Sequence, residues 1–305
     1  NDVDLFIGNA QILEKGKRLP DTPSPGHYWS LSENMQIAGD SWGASENPLV
    51  FLLHGGGQTR HAWKNTGVTL AENGFYAVAL DARGHGDSDW SPTGTYNQDV
   101  MVKDLADVSN QIGKDIFAIV GASMGGGTGL VATGEEKLSI GSLVLVDIAP
   151  QIEPDGVKRI GEFMRAKPEG FKSLEEVAEL ISNYQPHRTK PKDLSGLAKN
   201  LRMSSNGMFK WHWDPRFMDI RRDLDERVNR LTSCAKNLHV PTLLVRGGLS
   251  DVLSEQGAQD FLKICPHAEY VNVTDAAHMV AGDRNDIFAK SVIEFLKRVS
   301  ARNMK

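Results

Sequence analysis

Short apolar runs alternate with longer stretches of helical spacing along most of this chain. Leu49-Val50-Phe51-Leu52-Leu53, Phe75-Tyr76-Ala77-Val78-Ala79-Leu80 and Ile116-Phe117-Ala118-Ile119-Val120 are apolar throughout, as strands buried on both faces are. Residues 140–146, 242–246 and 269–273 extend the series, and Met35-Gln36-Ile37-Ala38-Gly39-Asp40 alternates like a half-exposed strand. Between these runs the spacing predicts helices. One leads from Gln58 to about Glu72 and is closed by Asn73-Gly74. Another, over 97–112, sets Val100, Leu105, Val108 and Ile112 on one side. A third, over 286–299, carries a stripe of Ile287, Val292, Ile293, Phe295, Leu296 and Val299. Strands alternating with helices predict the α/β class: a mostly parallel sheet, helices on both faces and right-handed crossovers.

Two regions break the alternation. Residues 1–33 carry Pro20, Pro23, Pro25 and Gly26 without sustained period and read as an arm over the domain, with one short strand near Leu5-Phe6-Ile7. Residues 151–235 show helical spacing at 157–166, 173–184, 194–203 and 220–231, with a capping-box start at Ser173-Leu174-Glu175-Glu176 and no strand pattern. The expected organisation is therefore an arm (1–33), a core (34–150 and 236–305) and an inserted helical cap (151–235). Most of the cap's Met and aromatic residues are expected to form its own core. Its densest cluster, Trp211-His212-Trp213-Asp214-Pro215, reads as the roof of a pocket, and Met279 as a further pocket residue.

Composition narrows the function class. With 305 residues, 40% hydrophobic and 24% charged, the chain suits one core plus a sizeable insertion. Lys+Arg 34 against Asp+Glu 39 gives a net charge of -5, which is no footprint for nucleic acid. Cys234 and Cys265 make neither a disulfide framework nor a zinc site and read as packed, reduced thiols. No run reaches the ~18 apolar residues of a membrane span. Asn1-Asp2-Val3-Asp4 has neither the basic region nor the apolar core of a signal peptide. A cytoplasmic location is expected, with a removed leader left open because the chain starts without Met.

The chemistry concentrates where strands end. Gly121-Ala122-Ser123-Met124-Gly125 follows a buried strand and opens a segment of small residues, so Ser123 sits on a sharp strand-to-helix turn that only flanking glycines permit. His54-Gly55-Gly56-Gly57 follows another strand, and its backbone N–H groups can point into a crevice. The loop from Asp81 to Asp89 reads as structural, with Arg83 pairing its carboxylates. Asp251 and His278 each follow a predicted strand, so both share Ser123's edge of the sheet. His267 precedes the last strand and faces away. Asp147 also ends a strand and can reach the histidine, so it is the alternative to Asp251; Asp275 and Asp283 lie too close to His278 along the chain.

With these pieces the chain resembles capped α/β-hydrolase-fold proteins, in the branch similar to esterases, non-haem haloperoxidases and epoxide hydrolases. The likeness rests on His54-Gly55-Gly56, residues 81–88, residues 121–125, Asp251 and His278, spread over all but the arm and cap. It implies a cofactor-free serine hydrolase. Ser123 would be nucleophile, His278 base, Asp251 the orienting acid, and the N–H groups of Met124 and Gly56, with Gly57 nearby, the oxyanion hole. Ser123 replaces the Asp of similar epoxide hydrolases and haloalkane dehalogenases, and Met124 the dehalogenases' halide-binding Trp, which disfavours both activities. The run from His54 to Arg60 is also similar to that of monoester hydrolases, including those for monoalkyl phthalates. The expected substrate is a small to medium, partly apolar carboxylic ester, perhydrolase, lactonase and C–C hydrolase readings needing the same triad. A slow-turnover ligand receptor is the alternative of a different class. The implied partner is a small molecule, with the protein a monomer or homodimer.

Overall fold

A computed structural model describes residues 6–7, 11–186, 193–219 and 223–305 and has one eight-stranded sheet at its centre. Three two-residue strands come first: β1 (Phe6–Ile7), β2 (Gln11–Ile12) and β3 (Lys17–Arg18). β4 (His27–Ser30) and β5 (Gln36–Trp42) form an antiparallel edge of the main sheet. The sheet continues through β6 (Leu49–Leu53), β7 (Tyr76–Leu80), β8 (Ile116–Ala122) and β9 (Leu143–Val146). β10 (Leu201–Met203) and β11 (Phe209–Trp211) lie apart from it, and β12 (Thr242–Gly247) and β13 (Glu269–Val273) complete it. Its order is β13-β12-β9-β8-β6-β7-β5-β4, and of these strands only β5 runs against the others.

Helices cover both faces: α1 (Lys64–Glu72), α2 (Gln98–Ile112), α3 (Met124–Gly134), α4 (Pro154–Arg165), α5 (Leu174–Tyr184), α6 (Leu224–Lys236), α7 (Glu255–Ile264) and α8 (Ala289–Asn303). The alternation of β6 shows why its run is apolar throughout. Leu49, Phe51 and Leu53 join a core with Val108, Leu130 and Phe261, while Val50 and Leu52 join the opposite core with Leu70, Val292 and Leu296. Local chemistry sets the helix ends. Asn97 accepts from the N–H of Val100 to start α2, and Gly113, at φ 70°, ends it in the left-handed region. Ser173 accepts from the N–H of Glu176 to start α5, as the capping-box spacing predicts.

Three parts of the expected organisation differ. β4, from the stretch read as an arm, is an edge strand of the main sheet. The cap is not purely helical: 201–203 and 209–211 pair as an antiparallel hairpin, and β3 adds to it through Arg202↔Arg18 and Met203↔Lys17. Its turn holds Asn206-Gly207, a hairpin signal that the surrounding helical spacing masked. The helix expected at 220–231 is α6, beginning at Leu224 with Asp223 as cap, and residues 220–222 lie outside the described residues. It packs on α3 rather than the cap, so closely that a Cβ on Gly134 would meet Cys234 at 2.6 Å. Of the strand expected at 5–7, Phe6–Ile7 is β1, and Leu5 lies outside the described residues.

The cap's Phe163, Met164, Trp211, Trp213 and Phe217 are buried together, as expected, joined by Tyr96, Met101 and the Val280-Ala281 segment after His278. Among the described residues, no helix is long and apolar enough to cross a membrane.

Candidate active site

Ser123 caps α3 at φ 49°, ψ −113°, a conformation that costs a non-glycine residue about 1–3 kcal/mol. Its neighbours show what holds it there. A Cβ on Gly121 would meet the Gly125 carbonyl oxygen at 2.3 Å, and one on Gly125 would meet that of Leu53 at 2.4 Å. The Ser123 N–H donates to the Val146 carbonyl (3.1 Å), fixing the turn beside the end of β9. As the first residue of α3, Met124 has an N–H with no acceptor inside the helix.

The residue after Val146 is Asp147, and it supplies the partner of His278. The imidazole Nδ1–H donates to Asp147 Oδ2 at 2.5 Å, and both side chains are only 4% exposed. The Ser250 hydroxyl donates to the same oxygen (2.8 Å), and the Gly247 N–H donates to Oδ1 (2.9 Å). With Nδ1–H committed to the carboxylate, Nε2 is the nitrogen available as a base.

Asp251, the acid expected for this role, is elsewhere. Its Oδ2 takes the Arg159 guanidinium of α4 at 2.6 Å, half-exposed, and so ties the cap to the β12–α7 loop. The loop and α4 meet so closely that a Cβ on Gly156 would stand 1.9 Å from the Asp251 carbonyl oxygen. Backbone conformation separates the two acids. Asp147 adopts φ 54°, in the left-handed region that Asp tolerates, and from there its carboxylate spans from β9 to the β12 and β13 loops. His267, as expected, lies at the other edge, bonded to the Val240 carbonyl (2.8 Å) just before β12.

The glycine turn after β6 faces the cap. The Gln58 N–H donates to the Gly55 carbonyl (3.0 Å), and Gly57 has φ 81°, the conformation of a type II turn that favours glycine. A Cβ on Gly56 would meet Phe217 at 3.3 Å, and one on Gly57 would meet Met164 at 2.9 Å and Trp213 at 3.5 Å. These cap side chains form an apolar wall over the turn. Trp213 stacks on Trp211 with ring centres 5.1 Å apart, so Trp211 buttresses this wall. Met279 is buried beside His278. A small cavity of about 40 Å³ borders Met124 and Gly125, walled by Leu53, Met101 and Leu105.

His212, expected only as part of the roof, also holds the glycine turn. The Gly86 N–H donates to its Nδ1 (2.8 Å), so its Nε2 carries the proton and donates to the Gly57 carbonyl (2.9 Å). The cap thereby grips the glycine turn. His54 does the same from below. The Ala82 N–H donates to its Nε2 (3.0 Å), and its Nδ1–H donates to the Gly55 carbonyl (2.8 Å). Burial, foremost, drives the pKa of His54 and His212 down, and that of His85 to about 3, so all three are neutral.

The carboxylates of the 81–89 loop pair differently from expectation. Arg83 bonds Asp104 of α2 (2.6 and 2.8 Å) and Glu33 instead. It is Arg60, fully buried, that takes Asp81 (2.6 Å), Asp87 (2.8 Å) and Asp40 (2.8 Å). Burial works to raise the Asp81 pKa, but Arg60 overrides it and holds the carboxyl well below its usual range. Arg202 of β10 adds a bond to Asp87 (3.1 Å), linking the cap to the same network. Among the described residues no cluster of three or more His, Cys, Asp or Glu side chains could hold a metal.

Comparison with known proteins identifies the family of the fold. The sequence profile of the alpha/beta hydrolase fold matches residues 48–284. The esterase Rv0045c of Mycobacterium tuberculosis is 29% identical over 270 residues, covering 85% of this chain and 84% of its own. Its crystal structure superposes with a TM-score of 0.67 at 26% identity, over 92% of each chain. The mouse sn-1-specific diacylglycerol lipase ABHD11 is 26% identical over 82% of this chain and 81% of its own. Sheet order, strained serine turn and profile match together make this chain a member of the α/β-hydrolase fold family.

Proposed function

We propose that the protein is a serine hydrolase cleaving a carboxylic ester of small to medium size and partly apolar character. The observation that carries this reading is the buried Asp147–His278 pair on the sheet edge where Ser123 is held in a strained turn. Relatives named as an esterase and a lipase support the same reaction class.

In this mechanism Ser123 Oγ attacks the ester carbonyl carbon while His278 Nε2 takes its proton. Asp147, in place of Asp251, orients the ring and stabilises the imidazolium. The tetrahedral oxyanion accepts hydrogen bonds from the N–H groups of Met124 and Gly56, with Gly57 adjacent, each such donor typically worth ~3–4 kcal/mol of barrier. The imidazolium then protonates the leaving alcohol, and water, activated by the same histidine, releases the acid from Ser123. The apolar wall of Met164, Trp213 and Phe217 beside Gly56 and Gly57 supports a partly apolar substrate.

The test is hydrolysis of a p-nitrophenyl ester series from acetate to decanoate by the full chain and by Ser123→Ala. Rapid turnover lost in Ser123→Ala is expected. Stoichiometric binding without turnover by the unmutated protein would instead make it a receptor.

A further inference from the structure

A second cavity, of about 250 Å³, borders the Arg60 network at Asp40 and His61. Four parts of the chain meet there: the segment before β4, β5, the start of α1 and the cap's 3-10 turn at Ser195–Asn200. Its chemistry comes from His27, Asp40, Trp42, His61, Lys64 and Lys199. We propose that this cavity binds a small oxyanion, a carboxylate or phosphate group, between the ammonium groups of Lys64 and Lys199.

The charge balance carries the argument. Asp40 is the one acid on the wall among the described residues, and it is already spent. Its Oδ2 takes Arg60 Nε (2.8 Å) and its Oδ1 the Gly26 N–H (2.9 Å). Neither lysine has an ion-pair partner among the described residues. Burial, then Lys64 and Arg284, depresses the Lys199 ammonium, with no carboxylate acting against them. Two like charges thus line one cavity in a chain whose net charge is -5. An anion placed between them converts their repulsion into two attractions.

The remaining wall suits such a guest. Burial, followed by Arg60 and with Lys199 contributing, pushes His61 down to about 4. It is therefore neutral at pH 7 and offers a ring N–H donor without needing a counter-charge. Trp42, its indole pressed over Gly67, adds a flat apolar side. The volume is below the ~300–1,000 Å³ of drug-sized sites, which suits a small anion rather than a cofactor.

The position gives the site a consequence. Lys199 belongs to the cap, while Lys64 starts α1, which a 3-10 turn at Arg60–Trp63 joins to Gly55–Gln58. A bound anion would pin cap to core, independently of whether Ser123 performs the proposed chemistry.

The experiment titrates inorganic phosphate, and separately citrate, into the full chain at constant ionic strength, read by calorimetry and thermal unfolding. Saturable binding is expected, unchanged in Ser123→Ala and about tenfold or more weaker in Lys64→Ser/Lys199→Ser. Stronger binding of phosphate identifies a phosphate site, and stronger binding of citrate a carboxylate site. The proposal is overturned by a non-saturating response or by equal affinity in the lysine variant. Both lysines reach solvent, and an unchanged melting temperature of the ligand-free variant confirms its fold.

Discussion

Replacing Asp147 by Asn separates the two candidate acids. The substitution is nearly isosteric, and Asn accepts the φ of 54° at this position as readily as Asp, so the backbone is not perturbed. The Gly247 N–H keeps its acceptor. What is lost is the charge beside the imidazole, and the amide –NH₂ can donate to Nδ1, which forces the proton onto Nε2 and removes the base. An imidazolium and a carboxylate about 4 Å apart attract by ~4 kcal/mol at an effective dielectric of 20. At 1.36 kcal/mol per decade this is about a 10³-fold fall in kcat. Asp251→Asn breaks only a half-exposed ion pair with Arg159, worth ~0–1 kcal/mol, so its activity should stay within about fivefold. Initial rates on p-nitrophenyl butyrate, with melting temperatures for each variant, decide the matter. A crippled Asp251→Asn beside an active Asp147→Asn would refute the assignment.

Three further outcomes follow from the packing. His212→Phe leaves the Gly86 N–H and the Gly57 carbonyl without partners in a buried site, at about 1–3 kcal/mol each; kcat should fall about tenfold, and an unchanged kcat would remove His212 from the turn's support. Gly125→Ala drives a Cβ to 2.4 Å from the Leu53 carbonyl oxygen and should cost about 3 kcal/mol or more, seen as insolubility or a melting point lower by roughly 5 °C or more; Gly196→Ala, with nothing within 4 Å, is the silent control. For pH, His85 has a folded pKa of about 3, below its unfolded value of ~6.5, so the unfolded chain binds more protons and stability is lost as pH falls below 6.5. That loss reaches about 2 kcal/mol at pH 5 from His85 alone, and His54 and His212 act in the same direction; a melting temperature flat from pH 7 to 5 would contradict it.

Much of the site was legible because its signals are local. A buried strand, a serine between glycines and a helix of small residues are dictated within about ten positions by sterics, and the structure holds Ser123 in that turn. The sheet was legible for the same reason, since β6, β7, β8 and β9 are continuous apolar runs. The cap hairpin was not. Leu201–Met203 and Phe209–Trp211 are too short for a period to show, and they are held by pairing with each other, with β3 and with Phe171. The partner of Arg83 was missed because Asp104 comes from α2, whose angle to the loop no spacing reveals.

The chain's own pattern of apolar runs and glycines determined the α/β class, the position of the serine turn and the sheet edge on which it lies. Each of these depends on contacts between near neighbours in the sequence. Which carboxylate meets His278 was decided only in three dimensions. Asp147 and Asp251 both follow strands that lie side by side, so chain order treats them alike. The left-handed backbone at 147 swings one carboxylate toward the imidazole, and an arginine from the cap draws the other away.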